Sequence, residues 1–517
     1  MNKILIANRG EIAVRIIRAC RDLGLRSVAV YAECDRTSLH VRLADEAYAV
    51  GGNPAADSYL RIDRLVDVAH RAGADAIHPG YGFLAENERF AAACRDAGLG
   101  FVGPAPEAMA LVGSKTAARG VAARVGVPVV AGTEPIAEAA SDDELRALAG
   151  RIGYPLLVKA VAGGGGKGMR RVDDPSGLLA SVQTARSEAR SGFGDSSVYF
   201  ERFLERPRHV EVQLLGDHHG NVLPFVEREC SIQRRHQKLV EESPSLAVSP
   251  ALREALMSAA ARIARDVGYT SAGTVEFLLD EERPEAFCFL EMNARLQVEH
   301  PITEMVTGVD LVAAQMAIAR GDPLSLDPQR LMEANGHAIE CRVYAEDPEA
   351  GFLPSPGRIT HLRAPSGPGV RDDSGVTAGS EIPVFYDALI SKVAAWGVDR
   401  EQALGRMARA MAEYEIRGVR TTIPFFRSLL RHVEFRQGRF DTTFVDRWLA
   451  TPGALAAAFE DDEEVIAAMA VALHALEGPG ARPEDDRPGA SAPHDPWSAR
   501  ARAEALREWP TSGPRTP

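Results

Sequence analysis

The sequence predicts a multidomain protein of mixed architecture, with an α/β domain at the N-terminus followed by α+β units. The chain has 517 residues, which at roughly 100–200 residues per domain is enough for several units. Over residues 1–113, short apolar runs alternate with amphipathic segments, a pattern typical of parallel βαβ units. From residue 114 onward the pattern changes to mixed helices and antiparallel strands.

In the first region, strands and helices are predicted to alternate along the chain. The predicted elements are strand Lys3–Ala7, helix Glu11–Leu23, strand Ser27–Tyr31, helix Tyr59–Ala72, strand Ala74–His78 and helix Asn87–Ala97. The turn after the first strand, residues 8–11, lacks the GxGxxG pattern, so no dinucleotide site is predicted there. The Gly/Pro-rich segment His78–Leu84 by itself predicts only a turn.

The remaining sequence divides into three parts, residues 114–333, 334–447 and 448–517. For the second of these, the predicted elements are strands His337–Tyr344 and Gly357–Arg363 and helices Arg400–Glu413 and Thr422–His432. The last part begins with an Ala-rich helix and continues into a Pro/Gly/Asp/Arg-rich stretch. This composition predicts a tail that is helical and partly disordered.

Composition and charge exclude several classes of partner and compartment. Lys plus Arg number 59 against 72 Asp plus Glu, a net charge of −13, which argues against nucleic acid or an anionic membrane as the main partner. The six cysteines show no CxxC spacing, so neither a zinc site nor a disulfide framework is expected. No apolar stretch approaches the ~20 residues of a membrane span, and the N-terminal run is too short for a signal sequence. We therefore predict a cytoplasmic protein.

The lysines are few and unevenly placed. Only six of the 59 basic residues are lysine, and four of them, Lys115, Lys159, Lys167 and Lys238, lie within a quarter of the chain. Lysine is a compact point charge suited to phosphate oxygens. The alternative explanation is a codon bias toward arginine, with the positions of these four lysines a matter of chance. We favour a phosphate site.

A glycine-rich loop lies inside this lysine-bearing region. A predicted strand ends at Lys159, residues 163–166 are all glycine, and a second strand begins at Met169. Glycines allow backbone N–H groups to approach phosphate oxygens closely. The loop is not a Walker A motif, which would open a helix with Gly-Lys-Ser/Thr. It indicates a flap over a nucleotide, although a flexible hairpin without ligand remains the alternative.

Two apolar strands, Ala272–Leu279 and Phe287–Asn293, flank a polar turn and predict a β-hairpin. If the hairpin is symmetric about residues 283 and 284, Glu276 and Glu291 lie opposite each other, where like charges repel. Asn293 shares the face of Glu291. Two carboxylates and an amide oxygen suit Mg²⁺ or Mn²⁺. The alternative interpretation is that the two glutamates lie on a solvated strand face and bind no metal.

Basic and acidic residues cluster around this hairpin in the sequence. Arg295 and Glu299 follow it and would place a cation and a base beside a γ-phosphate. Upstream, residues 234–238 read Arg-Arg-His-Gln-Lys, which indicates an anion site rather than a solvated face in so acidic a chain.

These motifs resemble biotin carboxylase, a ligase of the ATP-grasp class, over roughly residues 1–447. The resemblance rests on the glycine loop, the Arg-Arg-His-Gln-Lys run, the segments 78–87 and 352–357, and above all the string Glu-Met-Asn-Ala-Arg-Leu-Gln-Val-Glu-His-Pro at 291–301. It implies a Rossmann-like N-terminal domain (1–113), an ATP-grasp domain (114–333) with a mobile lid at about 131–203, and a biotin carboxylase C-terminal domain (334–447).

The resemblance also implies roles for individual residues. The implied ATP-binding residues are Lys115, Lys159, Gly165, Gly166, Glu201, Arg202, Phe203, Leu204, His209, Gln233, His236 and Glu276. The implied ligands of two Mg²⁺ or Mn²⁺ ions are Glu276, Glu291 and Asn293. The implied bicarbonate-binding residues are Lys238, Arg295, Gln297 and Val298. Glu299 would deprotonate bicarbonate, and Arg342 would stabilise the reacting anions and bind biotin.

In this family, bicarbonate attacks the γ-phosphate of ATP to give carboxyphosphate, which then carboxylates biotin. Family members that carry their own biotin have an Ala-Met-Lys-Met motif, whereas this sequence has no Met-Lys dipeptide. We therefore expect biotin to arrive on a separate carrier protein, with a separate carboxyltransferase and, as is usual in the family, a homodimer. Ser114 stands where many members have Asp, and it is expected to cap the following helix.

The favoured function is the biotin carboxylase of an acetyl-CoA carboxylase, which serves malonyl-CoA and fatty acid synthesis. The alternative within the family is the equivalent component of a pyruvate or propionyl-CoA carboxylase. A carbamoyl-phosphate-type or amino-acid ligase would not account for the Gln-Val-Glu-His-Pro string. A silent nucleotide-binding protein would be expected to lack Lys238, Arg295 or Glu299, and all three are present.

Overall fold

The computed structural model describes residues 1–161, 169–280, 283–451 and 453–455, together with positions 469 and 471. The glycine loop, with Gly165, Gly166 and Lys167, therefore lies outside the described residues, as does nearly all of the predicted tail. Residues 1–458 form one compact unit, and in residues 459–517 only positions 469 and 471, both helical, are described.

The first region is a five-stranded parallel sheet with helices, as the alternating pattern predicts. Its elements are β1 (Lys3–Ile6), α1 (Gly10–Asp22), β2 (Arg26–Ala32), α2 (Leu39–Leu43), β3 (Glu46–Gly51), α3 (Ile62–Ala72), β4 (Ala76–His78), α4 (Glu88–Asp96), β5 (Gly100–Phe101) and α5 (Pro106–Gly113). The strand order is β3-β2-β1-β4-β5. Sequence analysis missed β3, which is largely half-buried, and β5, which has two residues.

The second region contains most of the predicted site. Its elements are α6 (Lys115–Arg124), α7 (Asp142–Ile152), β6 (Leu156–Ala160), β7 (Met169–Val172), α8 (Leu178–Phe193), β8 (Val198–Arg202), β9 (Pro207–Gly216), β10 (Val222–Pro224), β11 (Arg228–Arg234), β12 (Gln237–Ser243), α9 (Pro250–Asp266), β13 (Ser271–Asp280), β14 (Arg283–Asn293), α10 (His300–Thr307), α11 (Leu311–Arg320) and α12 (Pro328–Met332). A small antiparallel sheet has the order β7-β6-β8. Ser114 caps α6, as expected, by accepting a hydrogen bond from the backbone of Ala117.

The third region continues the sheet of the second. Its elements are β15 (His337–Tyr344), β16 (Glu346–Asp347), β17 (Leu353–Pro354), β18 (Gly357–Arg358), β19 (His361–Arg363), β20 (Val370–Ser374), β21 (Glu381–Ile382), β22 (Leu389–Gly397), α13 (Arg400–Glu413), β23 (Glu415–Arg417), α14 (Ile423–Leu429), α15 (Val433–Arg436) and α16 (Phe444–Leu449). The predicted single strand 357–363 is wrong. It is two short strands, because β18 pairs with β21 whereas β19 pairs with β23.

One large sheet carries the candidate site. Among the described residues it has nine strands in the order β14-β13-β9-β11-β12-β15-β22-β20, with β10 added beside β9. The pairing of β12 with β15 carries this sheet across the boundary predicted at residue 333. The domain boundaries therefore stay predictions.

The alternation of side chains along the central strands separates a core face from a polar face. Val210, Val212, Val275 and Phe277 point into the hydrophobic core that includes residues of α9. Their neighbours along the strands, His209, Glu211, Gln213, Thr274 and Glu276, therefore point to the opposite face. All of these polar side chains are buried.

Membrane-spanning potential is slight in the residues that the structure describes. No single helix there is long and apolar enough to cross a bilayer. Helices α10 and α11 satisfy the length and composition criterion only as a pair that is bent by 93°.

Candidate functional site

A row of three glutamates crosses strands β14, β13 and β9. Glu291 pairs directly with Glu276, and Glu276 pairs directly with Glu211 on its other side. The first pairing is the one that was predicted, but the predicted symmetry about residues 283 and 284 is wrong, because β13 extends to Asp280 and β14 already begins at Arg283. Two register shifts, between residues 276 and 277 and between 279 and 280, separate the Glu276–Glu291 pair from the Asp280–Arg283 pair. Like charges in adjacent pairs are destabilising unless cations or protons compensate them.

The residues predicted to bind metal converge at this row. Asn293 Nδ2 donates to Glu276 Oε1 over 3.0 Å, and His209 Nε2 lies 2.9 Å from Glu276 Oε2. Burial and the neighbouring Glu276 raise the pKa of Glu291. A divalent cation would relieve that repulsion, and a half-turn of the Asn293 amide would move its oxygen from Arg295 to the side of Glu276. The donor set therefore fits a Mg²⁺ or Mn²⁺ ion held by Glu276, Glu291 and Asn293.

Lys238 is the central cation of the site. Its Nζ donates to Glu211 Oε2 over 2.6 Å, to Glu299 Oε1 over 2.7 Å and to Glu276 Oε1 over 3.0 Å. An ammonium group has three N–H bonds, so all three are used by carboxylates. Burial alone would lower the pKa of Lys238, but the acidic groups around it hold that pKa well above its ordinary value.

Glu299 lies between two cations. Its Oε1 accepts from Lys238, and its Oε2 accepts from Arg342 over 2.8 Å. The residue is fully buried. Burial alone would raise the pKa of Glu299, but Lys238, Arg342 and Arg228 together hold it well below the ordinary range. In this arrangement Glu299 is an ionised carboxylate.

Arg295 is positioned by groups on both sides of it. Its Nε donates to Glu86 Oε2 over 2.9 Å, and its terminal nitrogens donate to Gln297 Oε1 and Asn293 Oδ1. Gln297 in turn donates to Glu276 Oε1 over 3.1 Å. Arg295 and Gln297 therefore join the predicted metal ligands to the predicted bicarbonate-binding residues in one hydrogen-bond network.

A second cationic group lies on the small sheet and on α6. Lys159 forms a buried ion pair with Glu201, whose other oxygen accepts from Arg119 over 2.8 Å. Lys115, the first residue of α6, is close enough to Glu291 and Lys159 for both to affect its pKa, which burial lowers. The structure thus brings two of the predicted ATP-binding lysines together near the glutamate row.

The hairpin of β11 and β12 carries the predicted residues Gln233 and His236. Gln233 pairs with Lys238 across the two strands, and the connecting turn has positive φ at Arg235 (49°) and His236 (66°). Positive φ at two side-chain-bearing residues is unusual and accompanies functional sites. Burial and the nearby Lys159 lower the pKa of His236, which places its ring near the lysine pair.

The remaining predicted residues lie around these groups. Arg202 and Phe203 follow the Lys159–Glu201 pair at the end of β8, and Arg171 stacks on the Phe203 ring at 4.4 Å. Leu204 is half-buried beyond them. The backbone carbonyl of Val298 accepts from the buried Lys392 over 2.9 Å. Gly165 and Gly166 lie outside the described residues, so no position can be given for them.

Sequence analysis missed three residues of the site. Glu211 binds Lys238, Glu86 binds Arg295, and the fully buried Arg228 donates to Glu211 Oε1 over 2.5 Å. The alternation His-Val-Glu-Val-Gln at 209–213 was a signal for Glu211, because it predicts polar side chains on one strand face. Glu86 is distant in sequence from Arg295, and its contact could be found only from the fold.

Known protein families match nearly the whole described chain. The biotin carboxylase N-terminal domain matches residues 1–109, the ATP-binding domain of the carbamoyl-phosphate synthase L chain matches residues 114–327, and the biotin carboxylase C-terminal domain matches residues 340–447.

Individual proteins agree with these matches. The chain is 52% identical to a pyruvate carboxylase component of Methanothermobacter thermautotrophicus, covering 86% of this chain and 90% of that protein. It is 50% identical to the biotin carboxylase of a Nostoc species, and that match covers 86% of this chain and 98% of the Nostoc protein. Its fold matches that of the biotin carboxylase domain dimer of Hydrogenobacter thermophilus 2-oxoglutarate carboxylase, which was solved with MgADP, ADP and bicarbonate. The TM-score is 0.84 and the sequence identity is 46%, and the match covers 88% of this chain and 98% of that one.

Together, the fold and site define an ATP-dependent carboxylating ligase of the ATP-grasp class. The chain belongs to the biotin carboxylase family, as the motifs at 78–87 and 291–301 predict. The predicted three-domain fold is confirmed by the family and structural matches.

Proposed function

We propose that this chain carboxylates biotin on a separate carrier protein, as the first half-reaction of an acetyl-CoA carboxylase. The observation that carries this proposal is the position of Glu299. Its carboxylate lies between Lys238 and Arg342, and Lys238 also contacts Glu276 in the predicted metal site. A potential base, two anion-binding cations and a metal-binding carboxylate are thus within one hydrogen-bond network.

We assign the nucleotide to the side of the site that carries the paired lysines. Lys115 and Lys159 supply positive charge there for phosphate oxygens, and Gln233, His209 and His236 supply polar contacts. Glu201, Arg202, Phe203, Leu204 and Glu276 complete the assigned set of described residues. Glu276, Glu291 and Asn293 would hold Mg²⁺ or Mn²⁺, which neutralises charge on the polyphosphate when bound.

We assign bicarbonate to Lys238, Arg295, Gln297 and the backbone of Val298. Since every N–H of Lys238 is already used, an entering anion has to replace a carboxylate as its partner. Replacing Glu299 as the partner of Lys238 would remove one of the cations that hold the pKa of Glu299 down. Bicarbonate binding would therefore raise the proton affinity of Glu299 at the moment when a base is needed.

The bonds and protons of the proposed reaction balance among ATP, bicarbonate, biotin and the carboxylate of Glu299. Glu299 takes the bicarbonate proton, and a bicarbonate oxygen forms a bond to the γ-phosphorus while the bond to ADP breaks. Carboxyphosphate then releases CO₂ and phosphate, and the phosphate removes the ureido proton of biotin. Arg342 would stabilise the resulting biotin anion, whose nitrogen attacks CO₂ to give carboxybiotin.

The partners are proposed from chemistry and from the relatives. We propose a biotinylated carrier and a carboxyltransferase as partners and a homodimer like that of the Hydrogenobacter domain. We also propose a cytoplasmic location, consistent with six cysteines that form no disulfide in the described part of the chain. The match to a pyruvate carboxylase component favours a second candidate, in which pyruvate rather than acetyl-CoA is the final acceptor.

The test is reconstitution of the purified chain with a biotinylated carrier and a carboxyltransferase. ADP release with MgATP is expected to require bicarbonate and to rise with biotin or carrier. Malonyl-CoA formation from acetyl-CoA would support the first candidate, and oxaloacetate from pyruvate the second. ADP release that ignores both bicarbonate and biotin would refute the proposal.

A further inference from the structure

A layer of buried charged side chains lies beside the site, on the face shared by β12, β15 and β22. Glu241 pairs with Glu340 across β12 and β15, and Arg342 pairs with Lys392 across β15 and β22. Glu340 and Arg342 are two residues apart on one strand, so all four side chains point to the same face. Each is at most 7% exposed.

Two carboxylates in this layer occupy directly opposed positions. Burial raises the pKa of both Glu241 and Glu340, and Glu241 further raises the pKa of Glu340. Neither oxygen of Glu340 has a hydrogen-bond partner within the described part of the chain. The oxygens of Glu241 likewise accept no hydrogen bond there, but Glu241 Oε1 lies 2.7 Å from Arg342 in an ion pair. Arg342 favours the charged form of Glu241, whereas burial raises its pKa to about 7. The pair is therefore best described as a neutral Glu340 beside a Glu241 whose ionisation depends on the nearby Arg342.

Arg342 is shared between two carboxylates. One terminal nitrogen lies 2.7 Å from Glu241 Oε1 and 2.8 Å from Glu299 Oε2. Both carboxylates are fully buried, but their neighbours differ, because Glu299 also contacts Lys238 whereas Glu241 lies opposite Glu340.

Catalytic turnover affects the two carboxylates that hold Arg342, Glu241 and Glu299, in different ways. Under the proposed function, Glu299 accepts a proton from bicarbonate, which ends its ionic attraction for Arg342. A guanidinium held by Glu299 alone would then be free to move just as carboxyphosphate and the biotin anion form. Glu241 contacts no substrate-binding residue other than Arg342 in the described hydrogen bonds and ion pairs. The charge of Glu299 is one of the causes that raise the pKa of Glu241, so protonation of Glu299 favours the ionised form of Glu241.

We propose that Glu241 is a positioning residue that keeps Arg342 in place while Glu299 is protonated. The inference rests on the proposed function, because it assumes that Glu299 is the base and that Arg342 binds the reacting anions. The side chain acts through Arg342 and does not itself touch substrate.

The test begins with Glu241→Gln, which removes the charge and keeps the size. We expect kcat for biotin-dependent ADP release to fall roughly 10- to 100-fold, the range seen when a group that orients a functional residue is removed. The KM for ATP should stay within about twofold, since Glu241 contacts none of the assigned nucleotide residues. Glu241→Asp keeps the charge and should retain more activity than Glu241→Gln. This second variant also tests the proposal if the glutamine variant folds poorly.

Glu242→Gln is the matched control for loss of a buried glutamate. Glu242 is the next residue on β12, is also buried, and pairs with His337 and Arg400 on the other face. Its replacement is expected to lower thermal stability and leave kcat within about twofold of wild type.

A double-mutant cycle with Arg342→Gln identifies the route of action. If Glu241 acts through Arg342, adding Glu241→Gln to Arg342→Gln should change kcat less than about twofold. Losses that multiply, or a Glu241→Gln enzyme with wild-type kcat, would overturn the inference. Absence of biotin-dependent turnover in the wild-type chain would instead refute the proposed function, and the inference with it.

Discussion

Lys238 Nζ lies 2.7 Å from Glu299 Oε1, and the same ammonium group also binds Glu211 and Glu276. One cation thus joins the proposed base, a proposed metal ligand and a glutamate that sequence analysis missed. Lys238 offsets the repulsion between Glu276 and Glu211, two adjacent members of the glutamate row. This relationship makes Lys238 both a structural and a functional centre of the site, and the first prediction tests both.

Lys238→Gln should remove turnover and lower stability. Breaking a buried ion pair by removing one partner costs about 3–5 kcal/mol because the remaining charge stays buried. The free energy of unfolding, measured by urea titration, is expected to fall by an amount of that order, and ADP release should fall at least about 100-fold. Lys3→Gln, which removes a more exposed pair with Glu46, should cost less than about 1 kcal/mol. Equal effects of the two substitutions would contradict this account of Lys238.

Glu299→Gln should leave ATP binding intact and remove carboxylation. The amide keeps the size of the side chain but cannot accept the bicarbonate proton. Nucleotide affinity, measured by calorimetry with a non-hydrolysable ATP analogue and Mg²⁺, is expected to stay within about twofold of wild type. Normal carboxylation by this variant would show that another group is the base.

Glu291→Gln should weaken metal binding. It removes one of the two carboxylates that face each other across β13 and β14, so a divalent ion loses a charged oxygen ligand. The Mn²⁺ concentration needed for half-maximal ATP binding should rise roughly 10- to 100-fold. Glu227→Gln is the control, because Glu227 is buried but pairs with Arg253 outside the site. An unchanged Mn²⁺ requirement in Glu291→Gln would remove Glu291 from the ligand set.

His40 should make stability depend on pH in a definite direction. Burial is the main cause that lowers its pKa to about 4, and Asp35 opposes this only in part. Since the ordinary pKa is about 6.5, the unfolded state binds more protons between pH 6.5 and 4. The stability that neutral His40 contributes is therefore present above about pH 6.5 and is lost as pH falls through that window.

His40→Gln removes this titration. The stability difference between wild type and variant should shrink by up to about 1.4 kcal/mol per pH unit below pH 6.5, as measured by urea unfolding at several pH values. His70→Gln, at an exposed position of α3, should show no such trend. A difference for His40→Gln that is constant from pH 7 to pH 5 would contradict the assignment.

Local sequence patterns were sufficient to predict much of the fold and the residues at the centre of the site. The pairing of Glu276 with Glu291 was predicted correctly, because neighbouring strands joined by a turn have few ways to pair. The two register shifts in this hairpin were not predicted, since no local pattern marks them. Helix Arg400–Glu413 was predicted with its observed bounds, since its apolar residues keep the 3.6-residue period.

The contacts that sequence analysis missed are long-range. The pairing of β9 with β13 brings Glu211 to Glu276, and β4 precedes the loop that brings Glu86 to Arg295. Such contacts depend on the order of strands and domains, which no local period encodes. The division of 357–363 into two strands likewise depends on partners at 381–382 and 415–417.

The most direct test of the central claim is transfer of labelled carbon to biotin. The purified chain would be incubated with MgATP, biotin and ¹³C-bicarbonate, and carboxybiotin would be measured by mass spectrometry beside ADP. We predict labelled carboxybiotin from wild type and none from Glu299→Gln. Release of ADP by the wild-type chain without labelled carboxybiotin would contradict the claim that this chain carboxylates biotin.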